Sequence, residues 1–339
     1  MAGVDVLLVS LGTTAGLREA DRDLAGSLER AGATVAVEEV ARVRRLRTFA
    51  LTDLAQASAA ARAAERGIAL RRPRAIVYST TTAALRRPAP GAIRFDAAAA
   101  GNRPGRHGAW QRPVERRRLR ESPLLLPWSA EALAESGAPA ANAVVVPVAA
   151  ERSGPPAAER DLAAMTYASQ PQKKGLDRVL AAWAAARRRG ETLLVAGAPA
   201  DARPAAEGVE YADLMAYADY RSLLRRTRLF ITAPRREDYG ISQLEALADG
   251  CMLVTTPSPG PYAALPIARG LDPRLVSDDL APAIRAALDS PAPGYADRAA
   301  EALRPFAQAA IDRVVLDEVV PRLLGTRRLS PDSAPGRAS

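Results

Sequence analysis

Two short segments hold most of the chemistry in this sequence. Residues 234–256 read PRREDYGISQLEALADGCMLVTT. A strand ending at Ala233 runs into a loop with Arg235, Arg236, Glu237 and Asp238, then Gly240, then a helix starting near residue 241 or 242. Glycine permits close backbone approach, and the free amides of a helix N-terminus beside it bind anions, a diphosphate among them. Glu245 comes eight residues after Glu237 and is expected on the first turn of the helix, so that both carboxylates face one cleft. Two carboxylate oxygens suit Glu245 to a vicinal diol such as that of ribose. The alternative is a charged loop in which Glu245 merely complements the helix dipole.

The second segment, residues 167–175, reads YASQPQKKG, between an expected strand and an expected helix. Lys173 and Lys174 are the only lysines among the 47 basic residues. An ammonium is a compact point charge on a flexible stem and suits phosphate, where a guanidinium would impose a planar fork. A purely solvated pair here is disfavoured, because cations oppose the positive end of the following helix.

These segments need a scaffold, and the rest of the chain supplies its pattern. Short β-branched runs alternate with alanine-rich helical stretches throughout, as in parallel α/β layers. Strands are expected at 4–11, 34–39, 75–79, 92–96, 124–127 and 143–148, with helices at 19–31, 52–66, 109–120 and 130–136. Residues 149–159, AAERSGPPAAE, mark a boundary. Strands then follow at 165–168, 192–196, 229–233 and 252–256, and helices at 176–189, 214–226, 242–249, 279–288, 295–306 and 308–324. Most strand runs are too continuously apolar for a one-sided sheet, so helices should cover both faces. The expectation is two doubly wound domains, 1–150 and 151–326, with a disordered tail at 327–339.

With 339 residues, 48% of them apolar, the chain can bury two cores. One cysteine and one histidine exclude an internal disulfide and a zinc site built from several histidines. No apolar run reaches the roughly 18 residues of a membrane span, and residues 4–11 read as a strand, not a leader. A cytoplasmic protein is expected.

The segment Glu237 to Gly250 resembles the E-x7-E motif of retaining glycosyltransferases of family 4, and the lysine segment is similar to that family's K-G loop. The likeness is firm over residues 165–288 and only architectural before residue 148. It implies a GT-B fold, two Rossmann-like doubly wound domains facing across a cleft, the first on the acceptor side and the second holding a nucleotide-sugar donor. It also implies that the last helix crosses back to the first domain. By position, Glu237 lies at the donor sugar and Lys174 neutralises the leaving phosphate. Glu245 binds the ribose, and the amides of Tyr239, Gly240 and Ile241 approach the sugar and diphosphate. Ser169 stands where many members have an arginine, which leaves the phosphate to Lys174, with Lys173 or Arg235 beside it. Such enzymes generally work without a metal or other cofactor. Asp21-Arg22-Asp23, the one D-x-D, falls in an expected helix and reads as a solvated face.

In the first domain Gly12 and Gly16 lie in a turn after the first strand, where amides approach a phosphate or sugar, or simply make a βα connection. Asp96 ends a strand and introduces a loop with Arg106 and His107, placed like an acceptor site. His107 is the only candidate for a general base at neutral pH, although a retaining mechanism of the resembled family need not employ one. Trp110, Trp128 and Trp183 read as packing residues, and Cys251 as an inert buried thiol.

The net charge of +9 raises the question of a polyanionic partner. The densest arginine cluster, residues 103–120, has no aromatic platform beyond Trp110, which argues against nucleic acid. It leaves open contact with an anionic membrane at the inner face of the plasma membrane. The expected function is a retaining, metal-independent glycosyltransferase acting from a nucleotide diphosphate sugar on a glycan, lipid-linked or small-molecule acceptor. The alternatives are a GT-B nucleotide-sugar epimerase and a non-catalytic nucleotide-sugar-binding protein.

Overall fold

The computed structural model describes residues 3–325 except Arg45, Pro156, Ala158 and Leu214, and leaves the side chains of Ala15 and His107 undescribed. The expected tail, 327–339, lies outside the described residues. The chain divides into two compact units, one from residues 1–149 and 308 onward, the other from residues 150–307.

In the first unit, β1 (Val6–Ser10), β2 (Val35–Glu39), β3 (Ala75–Tyr78), β4 (Ala92–Phe95) and β5 (Leu125–Pro127) form a parallel sheet in the order β2-β1-β3-β4-β5. Side chains alternate across a strand, so the run VLLVS serves two cores. Val6 and Leu8 pack with Leu24 and Leu28 of helix α1 (Ala15–Arg30) and with Ile311, Val315 and Val319 of the last helical stretch. Leu7 and Val9 pack on the opposite face with Ala60, Ala63 and Ala64 of helix α2 (Phe49–Arg71). The C-terminal stretch thereby completes the first unit's sheet cover.

The second unit repeats the architecture with β6 (Leu162–Tyr167), β7 (Leu193–Ala196), β8 (Val209–Tyr211), β9 (Thr227–Thr232) and β10 (Met252–Thr255), parallel in the order β10-β9-β6-β7-β8. Strand order reverses direction between β6 and β9. Ligands of doubly wound sheets bind beyond the carboxyl ends of strands at such a switch point. Both chemistry-bearing segments of the sequence lie there, one after β6 and one after β9.

Several expectations are corrected. Residues 143–148 form no strand: Val144 and Val146 donate to Leu125 and Pro127 carbonyls at 2.9 Å, but only an isolated bridge results. Pro127 has no N–H to return. Edge strand β8 escaped notice because its three residues give no period to read. Helix Ala264–Leu271 was hidden by the punctuation of Pro259, Gly260 and Pro261 and by Pro266 within it. Gly16 lies inside α1, which starts at Ala15 with Thr14 Oγ1 capping the Leu17 amide at 3.2 Å. Asp21 is not on a solvated face. It is buried, accepts from Ser10 Oγ at 2.6 Å and pairs with the buried Arg94 at 3.3 Å. Arg94 projects from β4 toward α1, and its guanidinium lies 4.8 Å from the Trp128 ring centroid.

Candidate active site

After β6 the chain makes one helical turn, Pro171–Lys174, passes Gly175 in the left-handed region (φ 65°) and enters helix Leu176–Ala186. The lysines therefore also close the C-terminal end of a turn, where cations are tolerated, which weakens the electrostatic objection to them as a plain surface pair. Gly175 is required by packing: a Cβ built there would stand 1.9 Å from the Ala233 carbonyl oxygen. The two loops are stitched together by the Arg235 amide, which donates to the Lys173 carbonyl at 3.0 Å.

The loop after β9 brings its acids to the lysines. Lys174 Nζ donates to Glu237 Oε2 at 2.7 Å, and Lys173 Nζ to Asp238 Oδ2 at 2.6 Å. Arg236 Nε donates to the other Asp238 oxygen at 2.9 Å. Glu237 is only 4% exposed, and its Oε2 also accepts from Gln243 Nε2 at 2.9 Å. Burial opposes ionisation of Asp238, but Lys173 and Arg236 outweigh it and hold the carboxyl below its ordinary range. Arg235 faces elsewhere, forking onto Asp177 at 2.8 and 3.0 Å.

A third loop, after β10, closes against Glu237. The Glu237 amide donates to the Pro259 carbonyl at 3.0 Å, and a Cβ on Gly260 would lie 2.2 Å from the Glu237 carbonyl oxygen. Gly240, φ 92°, caps helix Ile241–Ala248 without a side chain to block its first amides. The buried Tyr262 ring packs under Gly240, and Tyr262 shares a 2.9 Å hydrogen bond with Thr255. Amides at the start of that helix, two ammonium groups and a buried carboxylate thus gather at the carboxyl ends of the neighbouring strands β6 and β9, the parts needed to hold an anion beside a polar centre.

Glu245 lies on the second turn of the helix, not the first, since the helix begins at Ile241. Its Oε1 accepts from the Tyr217 hydroxyl at 2.6 Å, and Arg221 Nη1 donates to that hydroxyl at 3.0 Å. Arg221 also binds the buried Asp249 at 2.7 Å and the Glu151 carbonyl at 2.7 Å. Burial and the adjacent Glu245 carboxylate push the Tyr217 hydroxyl well above its ordinary pKa.

The structure thus brings together Lys173, Lys174, Glu237, Tyr239, Gly240 and Ile241, with Glu245 on the next turn. Ser169 is exposed in the loop after β6. The remaining expected residues belong to the first unit. Gly12, φ 43°, has its carbonyl bound by Arg18 Nη1 at 2.7 Å. Asp96 follows β4 by one residue, and Arg106 is exposed on the turn Gly105–Gly108, which also carries the backbone of His107. Cys251 is buried, its thiol pushed up to about 12 by burial. Sequence reasoning missed Gln243 and Tyr217. Gln243 lies between Ser242 and the apolar Leu244 inside the motif segment, where nothing local singles it out, and Tyr217 had no local signal either.

Residues 162–290 match the family of group 1 glycosyl transferases. A search of curated proteins found no match. Among solved structures, sucrose-phosphate synthase from Thermosynechococcus elongatus is similar with a TM-score of 0.71 at 15% identity, over 91% of this chain and 96% of that one. WaaG, a glycosyltransferase involved in lipopolysaccharide biosynthesis, gives 0.68 at 13%, over 92% and 99%. A trehalose-6-phosphate protein from E. coli, bound with UDP-2-fluoro glucose, gives 0.65 at 11%, over 93% and 98%. At these identities the likeness is one of fold: two Rossmann-like halves in the GT-B manner. On that fold, the match of residues 162–290 to group 1 glycosyl transferases supports an enzyme of the glycosyltransferase kind.

Proposed function

We propose that the chain transfers a sugar from a nucleotide diphosphate donor to a glycan, lipid-linked or small-molecule acceptor, with retention of configuration and without a metal. The observation that carries this reading is the Lys174–Glu237 pair at the N-terminus of helix Ile241–Ala248. Breaking an anomeric C–O bond leaves an oxocarbenium-like centre and a diphosphate, so fixed positive charge and oriented polar groups must be in place beforehand. An ammonium has three donors. Lys174 can therefore take a phosphate oxygen while remaining near Glu237, and Lys173 and the first helix amides add to the charge. Glu237 then faces the donor sugar, and the Glu237-to-Glu245 spacing fits the E-x7-E motif of family 4. Glu245 takes the ribose hydroxyls, and the hydroxyl it already accepts, that of Tyr217, shows its carboxylate oriented as an acceptor of such donors.

The test begins with thermal-shift titration against UDP-, GDP- and ADP-sugars, since a ligand that binds the native state raises apparent stability by mass action. The donor found is then incubated with candidate acceptors in excess chelator, and the product's anomeric configuration is read by NMR. Retained configuration with undiminished turnover in chelator is expected. Free epimerised nucleotide sugar without acceptor would replace transferase by epimerase. Binding with no turnover across acceptors would leave a nucleotide-sugar-binding protein.

A further inference from the structure

The first unit carries an apolar surface that its core does not explain. Nine large apolar side chains are exposed among the described residues, and four of them, Leu46, Phe49, Leu51 and Leu54, fall within nine residues at the start of α2. Scattered single apolar residues are ordinary on a surface, but a cluster marks a contact site. The segment is a built one. The Leu46 amide donates to Thr52 Oγ1 at 3.0 Å, folding the preceding loop onto the first turn, and Thr48 Oγ1 caps that turn at the Leu51 amide at 3.2 Å. Leu51 and Leu54, three apart, share a helix face. Asp53 forks onto Arg103, whose guanidinium lies 5.3 Å from the Phe49 ring centroid.

Charge identifies what the surface faces. Arg42, Arg44 and Arg47 are exposed around the apolar residues, and Arg106 is exposed on the turn beyond Arg103. The only carboxylate between residues 40 and 54 is Asp53, already bound by Arg103. By contrast, the arginine-rich helix Gln111–Arg120 has Arg117 and Arg118 tied to Glu121 and exposes no large apolar side chain. A second copy of this surface would set arginine against arginine across a two-fold axis. Nucleic acid would leave three leucines without a partner.

We infer that Leu46, Phe49, Leu51 and Leu54, with the exposed Arg42, Arg44 and Arg47, form a docking surface for an anionic lipid bilayer, the apolar side chains entering the headgroup region and the arginines meeting lipid phosphates. Shallow apolar insertion combined with basic side chains is the physical pattern of interfacial binding. The proposal is independent of the sugar chemistry.

The experiment is co-sedimentation of the full chain with phosphatidylcholine vesicles and with vesicles of phosphatidylcholine and phosphatidylglycerol, at low and high salt. Binding is expected with the phosphatidylglycerol vesicles and should weaken with salt. Reversing Arg44 and Arg47 to glutamate should lower it by at least about fivefold per arginine. Leu51→Ser with Leu54→Ser, both exposed and so safe for folding, should lower what persists at high salt. Arg116→Glu with Arg120→Glu, on helix Gln111–Arg120, should change it less than Arg44→Glu with Arg47→Glu. Equal pelleting with both vesicle types would overturn the proposal. So would retention by a labelled oligonucleotide but not by vesicles, or concentration-dependent self-association lost in the leucine variants.

Discussion

Lys174 and Glu237, 63 residues apart in sequence, meet at 2.7 Å across the ends of the two strands where the second sheet reverses its order. Neither is simply a surface charge: the Lys174 side chain is 17% exposed and that of Glu237 5%. Removing one partner of a buried pair strands the other. Lys174→Ala should lower stability by about 3 kcal/mol, whereas Glu237→Gln, which can still accept from Lys174, should cost less. Both should reduce donor turnover by about 10²–10³-fold, the usual loss when an electrostatic contact to developing charge is removed. Thermal midpoints and turnover measured on the same preparations separate the two effects; unchanged turnover in Glu237→Gln would remove it from the chemistry.

Gln243 has no exposure to solvent and gives its amide to Glu237 Oε2 at 2.9 Å, while its Oε1 accepts from Ser242 Oγ at 2.8 Å. It positions the carboxylate from within the helix. Gln243→Met keeps the volume and deletes the bond, which to a charged acceptor contributes about 1.5–3 kcal/mol. The expected signature is a lower kcat with donor KM little changed. A variant with wild-type kcat would make Gln243 a packing residue only.

How far the site was legible in advance depended on how local each signal was. The E-x7-E spacing and the paired lysines lie within single segments, and the strands flanking them are apolar runs long enough to read. The pairing of Lys174 with Glu237 depends on β6 and β9 being neighbours, a fact of sheet order that no local pattern contains. Asp21 shows the same limit in reverse: its helix was foreseen, but only the position of β4 puts Arg94 beneath it and buries both. Residues 143–148 had the composition of a strand and lacked only a partner able to return hydrogen bonds.

Gly175 tests whether the two loops act as a unit. Its left-handed φ and the Ala233 carbonyl 1.9 Å from a built Cβ leave no room for a side chain, and the obstruction is the Ala233 backbone, not the end of a flexible side chain. Gly175→Ala should therefore destabilise the protein by about 2 kcal/mol or more and move Lys173 and Lys174 away from the acids. Loss of donor affinity in titration, together with a lower thermal midpoint, is the expected result. A midpoint equal to wild type would show that the loops part without cost.

The last helical stretch is held on the first unit by an ion pair as well as by its apolar face. Arg30 of α1 forks onto Asp312 at 2.6 and 2.9 Å, and Gln308 donates to the same carboxylate at 2.8 Å. The Arg30 bond, foremost among these, holds the Asp312 carboxyl down to about 2 from its ordinary 3.8. A depressed carboxyl pKa stabilises the fold above the unfolded value, and that contribution fades as pH falls from 3.8 through about 2. Half the Arg30 side chain is exposed, so solvent screens the pair and its contribution should be about 1 kcal/mol. Asp312→Asn should then lower the thermal midpoint near neutrality by about 2–4 °C, and the gap from wild type should close as the pH is lowered through that window. A gap that persists at the acid end would assign the loss to packing of the helix instead of to the charge on Asp312.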